Sequence, residues 1–283
     1  MVRKAWVIGR IRQRPVHGPG RRLLNWARSR LLSGVGKAQQ AYFVSINGHR
    51  YKRVVFGDSV QALEVASALE SCCDCVGLPE IVLAQEAEIW VRFVEGRKVD
   101  SGSNTDWQAL NDFFAGLYAR GPWQVALAET PLHRRLEIDL EFLRDSGVLD
   151  QARYGLLQDR AEQLKPDKIW LGYDYVDPVL KNFVVNDQGL FAIDIESLQK
   201  GVALGTGVAK ASLHWLGDDW PRFLARLERQ PGVPALAGQQ PYVALCFLAG
   251  WTKRKLLTGK WSRVKAENFD RLAGIEVDSA DSH

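Results

Sequence analysis

GYDYVDPVLKNFVVNDQGLFAIDIESL, residues Gly172–Leu198, is the stretch from which the rest of the chain can be read. Asp177 opens D-P-V-L-K-N and is followed five residues later by Asn182. The apolar run Phe183-Val184-Val185 predicts a short strand. Asn186-Asp187-Gln188-Gly189 supplies turn residues, with Gly189 free to take a positive φ. Leu190-Phe191-Ala192-Ile193 predicts a return strand that delivers Asp194 at its end, with Glu196 two residues on. A hairpin with an Asp and an Asn on its lead-in and acidic residues at its exit gathers metal-binding oxygens in one place. Phosphoryl transfer needs this, because its chemistry is mostly positioning and charge neutralisation. One Asp orients the attacking hydroxyl while an Asn and an Asp hold Mg²⁺ on the phosphates.

The order D-x4-N, strand, turn, strand, D resembles the catalytic and metal-binding loops of the protein-kinase-like superfamily. It is similar to the small-molecule branch, which holds aminoglycoside phosphotransferases and lipopolysaccharide core kinases of the Kdo/heptose type. The exit reads I-D-I-E rather than D-F-G, and no A-P-E segment follows. Tyr175 stands where the family carries a His two residues before its catalytic Asp. The resemblance implies an α+β, bilobal protein-kinase-like fold with a strand-rich N-lobe and a mostly helical C-lobe around a shared cleft. It also implies catalytic roles for Asp177, Asn182 and Asp194, Mg²⁺ on Asn182 and Asp194, and ATP as the phosphoryl donor.

Upstream, Ala41–Ile46 and Arg50–Phe56 flank Asn47-Gly48, a strong hairpin signal. Lys52, in R-Y-K-R-V-V, occupies the place of the family's lysine that grips the α/β phosphates. Arg50 shares its strand face and Arg53 lies on the other. Before this hairpin, Ser33–Lys37 reads S-G-V-G-K, and Gly34 and Gly36 would let backbone amides approach phosphates. That run lacks the full G-x-G-x-x-G and is not a Walker loop. Ser59–Cys72 predicts a helix with Ser59 as N-cap and Val60, Leu63, Ala66, Ala68 and Leu69 as its apolar stripe. The family's lysine needs a carboxylate from this helix, and Glu64 fills that role, with Glu70 as the alternative. Ile81–Leu83 and Ala87–Val94 read as paired strands. Val91, Phe93 and Val94 fall where the family's hinge holds the adenine.

The expected organisation is a basic segment over residues 1–32, an N-lobe of antiparallel sheet and one helix over 33–100, and a helical C-lobe over 101–277. Residues 278–283 form a polar tail expected to be disordered. Asn104 or Thr105 caps a helix reaching Arg120, and further helices are expected over Leu132–Asp145, Ala152–Leu164, Trp220–Glu228 and Tyr242–Leu257. Lys200–Lys210, with three glycines, reads as a loose segment near the metal loop that can touch substrate. Trp251–Lys265 is basic and interleaved with aromatics.

Charge distribution bears on the partner. Thirteen Lys and Arg precede the first acidic residue, Asp58, whereas the remainder carries 24 basic against 33 acidic residues. Arg21–Leu32 can form a basic amphipathic helix, so residues 1–32 suit an anionic membrane surface. With no apolar run of spanning length and no secretory signal, a cytoplasmic protein is expected, able to lie peripherally on the inner face of the membrane. The four cysteines have no zinc-like spacing and the five histidines form no H-E-x-x-H cluster, which argues against a metal hydrolase. No G-x-S-x-G elbow points to a serine hydrolase. A nucleic-acid partner would account for the basic N-terminal part but not for Asp177, Asn182 and Asp194.

The chain therefore reads as an ATP- and Mg-dependent phosphotransferase acting on a sugar hydroxyl. The acceptor is a small molecule or a lipid-linked sugar of the lipopolysaccharide-core type. A catalytically inactive kinase-like scaffold is the alternative, favoured by Tyr175 and the incomplete glycine loop, and a protein kinase is the second. Retention of Lys52, Glu64, Asp177, Asn182 and Asp194 together speaks for the active enzyme.

Overall fold

Asn47 and Gly48 both take positive φ, 53° and 83°, and reverse the chain in two residues. Gln40–Ile46 (β2) accordingly pairs antiparallel with His49–Val55 (β3), in register from Ile46 opposite His49 to Gln40 opposite Val55. The structure, a computed structural model, describes residues 12–15, 40–259 and Phe269. Gly34, Gly36, the Arg21–Leu32 segment, the end of the Trp251–Lys265 run and the 278–283 tail lie outside the described residues.

Arg12–Pro15 (β1) pairs with β2 on one side, and Glu88–Arg92 (β5) pairs with β3 on the other. Ile81–Gln85 (β4) completes an antiparallel five-stranded sheet in the order β1-β2-β3-β5-β4. Val44, Tyr51, Val54, Ile89 and Val91 are its buried residues.

Ser59–Cys72 (α1) packs on β4 and β5, but not in the expected register. Ala62, Val65, Ala66, Ala68, Leu69 and Cys72 are buried, while Val60 and Leu63 are 65% and 71% exposed. The stripe through residues 62, 65, 66, 69 and 72 keeps i, i+3, i+4 spacing for the whole helix. The one begun by Val60 and Leu63 runs into Ser67 and Glu70. Asp58 is the N-cap in place of Ser59, its carboxylate accepting from the Gln61 amide at 2.8 Å.

The hairpin of the 172–198 stretch forms as read. Phe183–Asn186 (β9) pairs with Gly189–Ala192 (β10), and the Asn186 side chain accepts from the Gln188 amide at 2.9 Å. Its placement differs from expectation. Lys181–Leu198 belongs to the strand-rich unit, together with the described residues up to Val99, and not to the helical one. The cause is pairing. β9 also lies against Arg97–Lys98 (β6), and the Ala192 amide donates to the Gly77 carbonyl at 2.9 Å. Gly77 lies so close to the Leu190 carbonyl that no Cβ fits between them.

The second unit comprises Asp100–Leu180 and the described residues from Gln199 onward. Its α-helices are Asn104–Tyr118 (α2), Leu132–Asp145 (α3), Gln151–Leu164 (α4), Thr206–Ala211 (α5), Trp220–Leu227 (α6) and Gln240–Leu257 (α7). Ser103 caps α2 instead of Asn104 or Thr105. Leu136, Leu140, Leu143, Leu157, Leu245 and Leu248 are fully buried between α3, α4 and α7. Three strands that periodicity did not reveal, Trp123–Ala126 (β7), Lys168–Tyr175 (β8) and Leu198–Ala203 (β11), form a sheet in the order β11-β8-β7. Lys200–Lys210 is consequently not loose, since it runs from β11 into α5.

Candidate active site

Candidate residues form two groups, one within each unit. In the strand-rich unit, β3 presents Lys52 and the hairpin exit presents Asp194 and Glu196. Lys52 Nζ donates to the Ile193 carbonyl at 2.9 Å and lies 3.5 Å from Asp194 Oδ1 and 3.6 Å from Glu196 Oε2. The Lys52 and Glu196 side chains are only 15% and 10% exposed, so solvent screens this pair far less than a surface one. Asp194 begins a short 3₁₀ turn, Ile195–Ser197, whose Ser197 hydroxyl donates to Asp194 Oδ2 at 3.0 Å. Buried Asn182 places its amide nitrogen 3.5 Å from the same oxygen, and its carbonyl accepts from the Ile193 amide at 2.8 Å. Lys52, Asn182, Asp194 and Glu196 are thus brought together around one strand end.

The expected pairing of Lys52 with α1 does not form. Glu64 and Glu70 are both exposed, because the helix turns the opposite stripe inward, and neither is the carboxylate that meets Lys52. Glu196 takes that position. In sequence it stands only as an acidic residue at the hairpin exit, and its two-residue spacing from Asp194 is the available signal.

Of the residues proposed for the nucleotide base, Val91 is buried within β5 opposite Lys52. Phe93 is half-buried, meets Phe43 edge-on at 5.3 Å and lies under the Arg50 guanidinium at 4.0 Å. Val94 is half-buried in the connection to β6.

The second group belongs to the helical unit. Asp177 follows β8 after one intervening residue and is ion-paired with Lys210 on α5. The chain beyond α5 continues as a π turn, Ser212–Leu216, and the Trp215 indole donates to the Pro178 carbonyl at 2.7 Å. Asp177-Pro178 is therefore held at two points from one helical run. π turns recur at functional sites because the extra residue re-aims the side chains that follow.

What fixes that run is a buried carboxylate the sequence reading passed over. Asp174, on β8, accepts from the Tyr118 hydroxyl at 3.1 Å and from the Gly207 amide at 2.9 Å, and Tyr118 in turn accepts from the Gly205 amide at 3.1 Å. Gly205, at φ +96°, lies against Gln240, and a Cβ on Gly207 would collide with Asp174 and Phe114. These contacts pin the start of α5 and hence the reach of Lys210. Burial pushes the Asp174 carboxyl up to about 7, with the hydrogen bonds from Gly207 and Tyr118 opposing the shift. The Tyr118 phenol is pushed well up by the same burial.

Among the described residues, no group of three or more His, Cys, Asp or Glu gathers as a preformed metal centre. Mg²⁺ binds through one or two carboxylates and completes its shell with water and phosphate oxygens. Asn182 and Asp194 supply hard oxygen donors of that kind.

No protein-family model matches the chain, and no curated protein matches it in sequence. Its fold does match solved structures. Macrolide 2'-phosphotransferase type I is 13% identical at a TM-score of 0.59, over 92% of this chain and 98% of that one. A thermostable mutant of aminoglycoside phosphotransferase APH(4)-Ia, in ternary complex with ADP and hygromycin B, is 14% identical at 0.59, over 86% and 92%. Choline kinase LicA from Streptococcus pneumoniae is 14% identical at 0.57, over 91% and 98%. The chain thus has the fold of the small-molecule, protein-kinase-like phosphotransferases, as the 172–198 stretch implied.

Proposed function

We propose that this protein is an ATP- and Mg²⁺-dependent phosphotransferase acting on a hydroxyl group of a small molecule. The observation that carries the reading is the convergence of Lys52 with Asn182, Asp194 and Glu196, in a fold shared with phosphotransferases, one of them bound to ADP. In this reading Lys52 holds the α/β phosphates and Glu196 keeps its ammonium extended. Asn182 and Asp194 would hold Mg²⁺, which neutralises charge on the phosphates when bound. Asp177 accepts a hydrogen bond from the acceptor hydroxyl and orients it for in-line attack, taking its proton as the new O–P bond forms and the bond from the γ-phosphorus to the β,γ-bridging oxygen breaks, releasing ADP. Phe93 and Val94 line the base position. Gly34 and Gly36 would cover the phosphates.

The finer reading is a sugar hydroxyl of a lipopolysaccharide-core-type acceptor, presented on the inner surface of the membrane. It is supported by the absence of any acidic residue before Asp58 alongside 13 Lys and Arg. No helix among the described residues is long and apolar enough to cross a membrane. Calorimetry of Mg·ATP on the wild type and on Asp194→Ala tests the nucleotide half. Mg²⁺-dependent binding that the variant loses is the expected result. Absent binding in the wild type would favour a scaffold that keeps the fold without the reaction. Sedimentation with anionic vesicles, with and without residues 1–32 and at two salt concentrations, tests the membrane half.

A further inference from the structure

The charge beside Asp177 constrains what the acceptor can be. A hydroxyl oriented by this carboxylate and the Lys210 ammonium share one partner, so any substituent next to the hydroxyl lies within a few ångströms of a fixed positive charge. Lys210 is not a wandering surface lysine. Its side chain is 15% exposed, and its helix is pinned through Gly205 and Gly207 to Asp174 and Tyr118. Trp215 closes the same run onto Pro178. The cation is thus part of the local framework. An acceptor bearing its own ammonium would bring a second positive charge to a carboxylate already paired, whereas an anionic group would face the lysine favourably.

From this we infer that Lys210 is a specificity-determining residue, and that it selects an acceptor with a negatively charged group, a carboxylate or a phosphate, close to the reacting hydroxyl. The inference rests on the reading of Asp177 as the hydroxyl-orienting group, and goes beyond it by fixing the sign of the acceptor's charge.

Three probes that share a six-carbon polyol skeleton and differ in charge at one end test it: gluconate, sorbitol and glucamine. Their binding to the full-length protein is followed by saturation-transfer NMR at low ionic strength, with no nucleotide, so the result does not depend on phosphotransfer. Gluconate should bind best and glucamine worst, with about a tenfold spread, the scale of one charge-assisted hydrogen bond. Lys210→Met should flatten the series and Lys210→Glu should reverse it. Asp177→Asn, which removes the carboxylate charge beside the lysine, should strengthen gluconate binding. A flat series in the wild type, glucamine binding at least as well as gluconate, or an order unchanged in Lys210→Glu would each overturn the proposal. Failure of Mg·ATP to bind, measured separately, would instead count against the phosphotransferase reading. An anion preference that persists there would retain Lys210 as an anion-selecting residue.

Discussion

Two lysine–aspartate pairs define this protein, and they are built on opposite plans. Lys52 meets Asp194 and Glu196, two carboxylates two positions apart at the exit of a hairpin, so its partners arrive together on one short turn. Lys210 meets Asp177 from a helix 33 residues further along the chain, placed there by a buried polar cluster. Both pairs depend on tertiary packing, since Lys52 reaches the hairpin exit from β3; what is local in the first is the spacing of its two carboxylates on one turn.

The largest effects should come from removing the aspartates themselves. Asp177→Asn should lower turnover by roughly 10²–10⁴-fold while leaving Mg·ATP affinity nearly unchanged. Asp194→Ala should abolish both. Single-turnover kinetics alongside calorimetry would check the split, and equal losses of affinity in the two variants would erase the distinction between the halves. Next in size, Glu196→Gln should raise the KM for ATP by about tenfold, the scale of one part-buried charged hydrogen bond. Glu64→Gln and Glu70→Gln should change it less than twofold, and the reverse order would restore the helix as the source of the lysine's partner.

The second pair is sharpened by pH. Because burial raises Asp174 to about 7, the folded chain holds this proton more tightly than the unfolded chain. Its contribution is full below the ordinary carboxylate value of about 4 and is lost as pH rises through about 7. Asp174→Asn cannot ionise, so thermal melts between about pH 5 and pH 8 should show a shallower decline than wild type. If the two profiles run parallel, Asp174 does not titrate in that window. The smallest effect belongs to the exposed side of α1. Val60→Ala and Leu63→Ala should each change stability by no more than about 0.5 kcal/mol, measured by denaturant melts. A larger loss would show that this face is covered.

What the sequence made legible follows the same division. The hairpin around Asn186–Gly189 and the tight turn at Asn47-Gly48 could be read because turn chemistry is local and few residues satisfy it. The α1 stripe is not legible because Val60 and Leu63 begin a plausible helical period that Ser67 and Glu70 then break, and the expectation that Glu64 meets Lys52 depends on that face. β8 escaped notice because Lys168–Tyr175 alternates poorly, with five of its eight residues buried. Lys210 and Asp174 carry no local signature at all. Their roles arise only when β8, α2 and α5 pack together.

The carboxylates that hold Lys52 bear also on control of the reaction. In protein kinases the helix beside the lysine carries its partner, so swinging that helix switches the enzyme on or off. Here both partners leave on the same turn that ends the hairpin, and α1 contributes neither. The lysine's orientation is therefore coupled to the loop that carries Asp194 and Glu196. Whatever orders that loop orders the lysine too, so occupancy of the site by its own nucleotide, and not the posture of a helix, would act as the throttle.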